Sequence, residues 1–168
     1  MTRRDEALAV LVRAPAGLVY AVLTDVDAWD TWWPGCTSRR DPRADAAGVA
    51  DHHLLRLPGG RRTLRCRATG DAGDHHLPRR PLGRRGRRGR AAVGGWRHDR
   101  GLRAELRGGA DAEAEWWLEP VEGGVIVHLL VTARGRRADR TVRALGGGLQ
   151  ALKDHLELAV AVAAGRVP

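Results

Sequence analysis

The sequence predicts an α+β fold in which one antiparallel sheet wraps against a single long C-terminal helix. The helix is the plainest element. Across residues 137–164, Val142, Leu145, Leu149, Leu152, Leu156, Val160 and Ala163 recur at spacings of three and four, which aligns them as one apolar stripe. Arg140, Arg143, Lys153, Asp154 and Glu157 mostly fall off that stripe. Isolated helices draw most of their stability from packing, so the stripe needs an apolar partner. A second observation supplies part of it: within residues 125–134, Val125, Val127, Leu129 and Val131 alternate with Ile126, His128, Leu130 and Thr132, the period of a strand. Several shorter β-like runs upstream complete the surface.

Residues 6–13 form the first strand, with Leu8, Val10 and Val12 on one face. Ala14-Pro15 stops it, because proline cannot donate to a ladder and suits a helix start. Residues 15–24 turn helical, grouping Leu18, Val19 and Val22. Asp25 or Asp27 can cap a second short helix running to Trp32-Trp33, which Pro34-Gly35 ends. Residues 63–68, 96–99, 101–109 and 113–120 read as further strands, and Glu122-Gly123-Gly124 as a turn. Within 113–120, Trp116 groups with Ala114 and Leu118 and faces inward, whereas Trp117 sits among glutamates and faces outward.

At 168 residues the chain is one domain, 1–168, large enough for a core without disulfides or metal. Phe and Asn are absent and Lys occurs once, while Arg, Ala, Gly and Pro abound; this is the codon signature of a GC-rich bacterium. Part of the net charge of +9 therefore reflects codon usage as well as any polyanionic partner. Met1 to Glu6 contain no separate apolar segment with a cleavage site, and no run approaches a membrane span, so a cytoplasmic protein with free Cys36 and Cys66 is expected.

Three fragments carry a family resemblance: Val12-Arg13-Ala14-Pro15, Val19-Tyr20-Ala21-Val22-Leu23-Thr24-Asp25, and Trp29 with Trp32-Trp33-Pro34-Gly35. Together they resemble the opening of the START-like (SRPBCC, helix-grip) superfamily, whose bacterial members are labelled polyketide cyclase/dehydrase or lipid-transport proteins. Glu115-Trp116-Trp117-Leu118-Glu119-Pro120, followed by Gly123-Gly124, is similar to that family's last hairpin. The resemblance covers about two-thirds of the chain. It implies a curled sheet around the C-terminal helix, two short helices after the first strand, and a cavity between sheet and helix. Residues 69–95 depart from the pattern and read as irregular, with an Arg/Gly-rich run at 79–90. A disordered basic insertion, a shifted reading frame and a nucleic-acid-binding loop all account for that composition.

The resemblance implies a small hydrophobic or polyketide-like ligand, with Trp33, Trp116, Leu118, Leu149 and Leu152 as its walls. If cyclase or dehydrase chemistry accompanies binding, His128 and His98 are the proton handlers; a paired or wet-edge histidine is the alternative for each. For all six tryptophans, Trp33 and Trp116 included, core and rim packing is the alternative reading. The doublets His52-His53 and His75-His76 point to opposite faces of a strand, and zinc-like Cys/His spacing is missing, so neither metal nor cofactor is expected. Gly146-Gly147-Gly148 interrupt the helical stripe at about 1 kcal/mol each relative to alanine, which a kink or a close approach would explain. Two further readings stand beside ligand binding: nucleic-acid binding through residues 79–90, and a damaged family member that folds only in part.

Overall fold

Period-two alternation becomes a seven-stranded antiparallel sheet, and the three-and-four stripe becomes a helix laid across its inner face. The computed structural model describes residues 3–46, 51–61, 63–70, 101–108 and 111–166. The elements are β1 (Arg3–Val12), α1 (Ala16–Thr24), a 3₁₀ turn (Val26–Ala28), α2 (Trp29–Trp32), β2 (Thr37–Arg40), α3 (Pro42–Ala46), β3 (His52–Arg56), β4 (Leu64–Gly70), β5 (Gly101–Arg107), β6 (Asp111–Val121), β7 (Gly124–Arg134) and α4 (Ala138–Ala163). In space the strands run β1-β7-β6-β5-β4-β3-β2. The sheet is curled and unclosed, with β1 and β2 at its edges, so the α+β helix-grip architecture is the observed one.

The β6–β7 hairpin turns in two residues, Glu122 and Gly123, and Gly123 takes φ +79°, a conformation open to glycine. β7 then pairs with β1 from Arg3↔Arg134 to Val12↔Val125. Val125, Val127, Leu129 and Val131 are buried inward, as their alternation requires. Over them lies α4, packed against β1, β7 and β6. Its Val142, Leu145, Leu149, Leu152 and Leu156 are buried, each leucine contributing about 2 kcal/mol. Val160 is half-buried and Ala163 exposed, so the stripe outlasts the sheet by one turn.

Several elements differ from expectation. β2, α3 and β3 were not read from the sequence: Thr37-Ser38-Arg39-Arg40 is an all-polar edge strand, and the paired His-His-Leu-Leu of β3 masks its alternation. β4 continues to Gly70, past the expected strand end and into the segment expected to be irregular; most of 69–95, and the expected strand at 96–99, lie outside the described residues. Asp25 and Asp27 cap nothing with their side chains, because a 3₁₀ turn leads into α2. Asp27 instead reaches Arg40 and His53.

The edge of β1 is clasped by α4. Lys153 Nζ donates to the Leu11 carbonyl at 2.8 Å and pairs with Glu157, while Glu157 Oε1 accepts the Arg13 N–H at 3.0 Å. These hydrogen bonds hold the Glu157 carboxyl below its ordinary range. The glycines of α4 have separate explanations. A Cβ on Gly148 would lie 2.5 Å from the Trp33 indole, and one on Gly146 2.9 Å from Leu8, whereas Gly147 faces open space.

Two stability tests follow from these contacts. Gly148→Ala should lower unfolding free energy by about 1–3 kcal/mol through overpacking, while Gly147→Ala should raise it by about 0.5–1 kcal/mol; urea titration reads both. The Glu157 clasp stabilises the fold above the carboxylate's unfolded pKa and is lost as pH falls through its lowered folded value. Glu157→Gln should therefore cost about 1 kcal/mol at neutral pH, and the gap to wild type should close as the pH is taken below the carboxylate range.

Candidate functional site

Strand pairing arranges the inner face in rows. Ala68, Ala104 and Ala114 pair directly across β4, β5 and β6. On one side runs Leu102-Trp116-Leu129, on the other Cys66-Leu106-Ala112-Ala133. The short side chains recess the centre of the sheet between longer neighbours.

At one flank of this floor stands an aromatic cluster. Trp29 lies with ring centroids 6.2 Å from Trp32, 5.6 Å from Trp33 and 5.7 Å from Trp116, and Trp32 stacks on Trp33 at 6.0 Å. All four are buried. Trp29 and Trp32 open and close one helical turn, which groups three indoles from adjacent sequence, and Trp29 joins the group to Trp116 on the sheet. Trp29 Nε1 donates to the Leu23 carbonyl at 3.0 Å. Trp32 Nε1 is buried and, among the described residues, has no acceptor. Such an orphan donor costs about 1–3 kcal/mol.

The expected wall residues all lie on this side. Trp33 seats on Gly148 of α4, Trp116 is 4% exposed, Leu118 follows it two residues along β6, and Leu149 and Leu152 are buried on α4. The expected proton handlers do not join them. His128 projects from the outer face of β7, its Nε2 2.7 Å from Glu119 Oε2 and its ring stacked on Trp117 at 4.9 Å. His98 and residues 79–90 lie outside the described residues.

One polar group of the inner face was missed. His53 on β3 is 6% exposed, directly opposite Cys66 of β4. Its Nδ1 lies 3.1 Å from Asp27 Oδ1, at an angle too oblique to form a straight hydrogen bond. Asp27 Oδ2 also accepts from Arg40 Nε at 2.9 Å. The sequence signal was the face shared by His53 and Leu55, which places one histidine of the doublet inside. Burial pushes the thiols of Cys36 and Cys66 up to about 12, keeping both protonated. No metal-ligating cluster of three occurs among the described residues. Between the inner-facing residues of β1 and α4 lies a groove of about 420 Å³, lined by Arg4, Glu6, Leu8, Asp139, Val142, Arg143 and Gly146 and bridged by Arg4 to Glu6 and Asp139. No helix among the described residues is long and apolar enough to cross a membrane.

A family model described as polyketide cyclase / dehydrase and lipid transport matches residues 12–145. No curated protein matches the chain. Among solved structures, the Zhui aromatase/cyclase from Streptomyces sp. R1128 is similar at TM-score 0.60 and 18% identity, covering 99% of this chain and 100% of its own. A START superfamily protein from Mycobacterium smegmatis gives 0.59 and 11%, over 92% and 98% of the two chains. The di-domain ARO/CYC BexL from the BE-7585A biosynthetic pathway gives 0.57 and 14%; 92% of this chain matches 50% of that one.

The thiol environment is directly measurable. Native protein at pH 8 should react with a disulfide reagent far more slowly than urea-unfolded protein, in which both Cys36 and Cys66 should be titrated at once. Fast labelling of either thiol in the folded state contradicts their burial.

Proposed function

The chain belongs to the polyketide cyclase/dehydrase and lipid transport family, and from that premise we propose that it binds an apolar, oxygen-bearing, polyketide-like molecule between the inner face of the sheet and α4. Trp33, Trp116, Leu118, Leu149 and Leu152 are its walls in this reading, and the alanine row its floor. The observation that carries it is the buried Trp32 Nε1, which lacks an acceptor among the described residues within an otherwise apolar aromatic cluster. Buried polar groups in native proteins are normally satisfied. A guest that brings a carbonyl or phenolic oxygen would satisfy this one, whereas a plain hydrocarbon chain would leave it unpaired.

Aromatase/cyclases among the similar folds support a ring-forming or dehydrating step on such a guest. His128 takes no part in it, since its pairing with Glu119 lies on the far side of the sheet.

Titration with 1,8-dihydroxyanthraquinone, read by quenching of tryptophan fluorescence, should saturate. Palmitic acid should compete weakly. Trp32→Phe keeps an aromatic ring and removes the donor, so affinity should fall about tenfold, the equivalent of about 1.4 kcal/mol. Thermal melting checks that the variant folds. Absence of saturable quenching, or equal affinity in wild type and a folded variant, removes this reading.

A further inference from the structure

We propose that His53 is the proton-transfer residue of the inner face and that Asp27 is its positioning residue. This rests on the ligand-binding reading above and deepens it. His53 is nearly fully buried, and Asp27 is a partly exposed carboxylate on the 3₁₀ turn. The two nitrogens of an imidazole direct their bonds in roughly opposite senses. Nδ1 lies 3.1 Å from Asp27 Oδ1, and the register sets His53 on the inner face, in the row that continues through Cys66, Leu106 and Ala112; in this proposal Nε2 is the nitrogen offered to the guest. The next row is Ala68, Ala104 and Ala114, the recessed floor.

An imidazole backed by a carboxylate is the arrangement that makes a histidine a directed base. The acid holds the proton on Nδ1, which leaves the Nε2 lone pair free, and it stabilises the imidazolium that forms. The oblique Nδ1–Asp27 contact matches this role, because such bonds are often poorly aligned before substrate binds and tighten afterwards. It also accounts for a buried polar atom that otherwise has no explanation. The neighbouring thiols offer no competing base, since burial keeps them protonated. Arg40, directly opposite His53 on the edge strand β2, shares the Asp27 carboxylate and is largely exposed.

The step balances without oxidant or reductant. Nε2 takes the proton from a carbon flanked by two carbonyls. The electron pair released forms the new carbon–carbon bond to another carbonyl carbon of the same chain, and the imidazolium returns the proton to the alkoxide produced.

Two measurements test it on the whole protein. Long-range proton–nitrogen NMR should show His53 protonated on Nδ1 and bare on Nε2, with that preference lost in Asp27→Ala. A proton on Nε2 in the wild type overturns the proposal. The second uses 5-nitrobenzisoxazole, whose five-membered ring opens when a base removes the proton on C3, a nitrile forms and the N–O bond breaks to a coloured phenolate. Wild type should accelerate this over buffer. His53→Gln should lose about a hundredfold or more of that acceleration, and Asp27→Ala should lose part of it, while both still bind 1,8-dihydroxyanthraquinone and melt cooperatively. Equal rates in wild type and a folded, ligand-binding His53→Gln overturn this proposal and leave the binding reading standing. Failure of the wild type to bind the anthraquinone overturns both.

Discussion

The contact on which the architecture depends is the Trp33 indole lying against the backbone of α4 at Gly148. Any side chain at that position would occupy the space the ring fills. Through Trp33 the helix is joined to Trp29 and Trp32, and through Trp29 to Trp116 on the sheet. Three consecutive glycines cost the helix about 3 kcal/mol in propensity. A buried tryptophan, covering about 150–250 Å², contributes about 4–6 kcal/mol. The aromatic contact therefore outweighs the local penalty, and glycine at 148 sets the close spacing of helix and indole.

That spacing matters because the two faces of the sheet are chemically opposed. Inward run valine, leucine, alanine and tryptophan; outward run Arg103, Glu105, Glu113 and Glu115 beside Trp117 and His128. A one-residue slip of β6 or β7 would exchange the sets, so burial of the inner set fixes register strongly. The same alternation sorts the histidines. His128 follows Val127 and is carried out to Glu119, while His53 precedes Leu54 and is carried in toward Asp27. Identical side chains thus meet opposite environments, one on each face of the sheet.

How far the sequence discloses this follows the range of the interactions involved. The stripe from Val142 to Leu156 and the alternation from Val125 to Val131 are local patterns, and both elements emerge within a residue or two of expectation. Trp116 inward and Trp117 outward is likewise a local consequence of period two. β2 and β3 were illegible because an edge strand of Thr, Ser and Arg buries little, and His-His-Leu-Leu shows no alternation of polarity. The inward placing of Trp116 was legible in that local pattern, and both Trp33 and Trp116 are buried. The orphan donor on Trp32 and the His53–Asp27 contact were not, since each depends on what a distant segment brings or fails to bring. Catalytic weight fell on His128 because its strand was the clearest, although its period-two partners Ile126 and Leu130 are themselves on the outer face.

An unclosed sheet leaves two edges that could pair with other chains, and each is guarded by different chemistry. β2 is four residues long and wholly polar. β1 is ten residues long and begins Arg-Arg-Asp-Glu, but its second half, Ala7 to Val12, carries no charge. That half is where α4 reaches over with Lys153, the single lysine in a chain otherwise supplied with arginine. The residue type suits the geometry. A compact ammonium has tetrahedral donors that reach the Leu11 carbonyl and the Glu157 carboxylate together, whereas a planar guanidinium presents its donors as a fork matched to one acceptor group. Glu157 then turns back to the Arg13 N–H at the end of the same strand. Helix and edge are closed against each other at this seam, so the sheet needs no eighth strand to protect β1 and can stay open on the side of β2, Asp27 of the 3₁₀ turn and inward-facing His53.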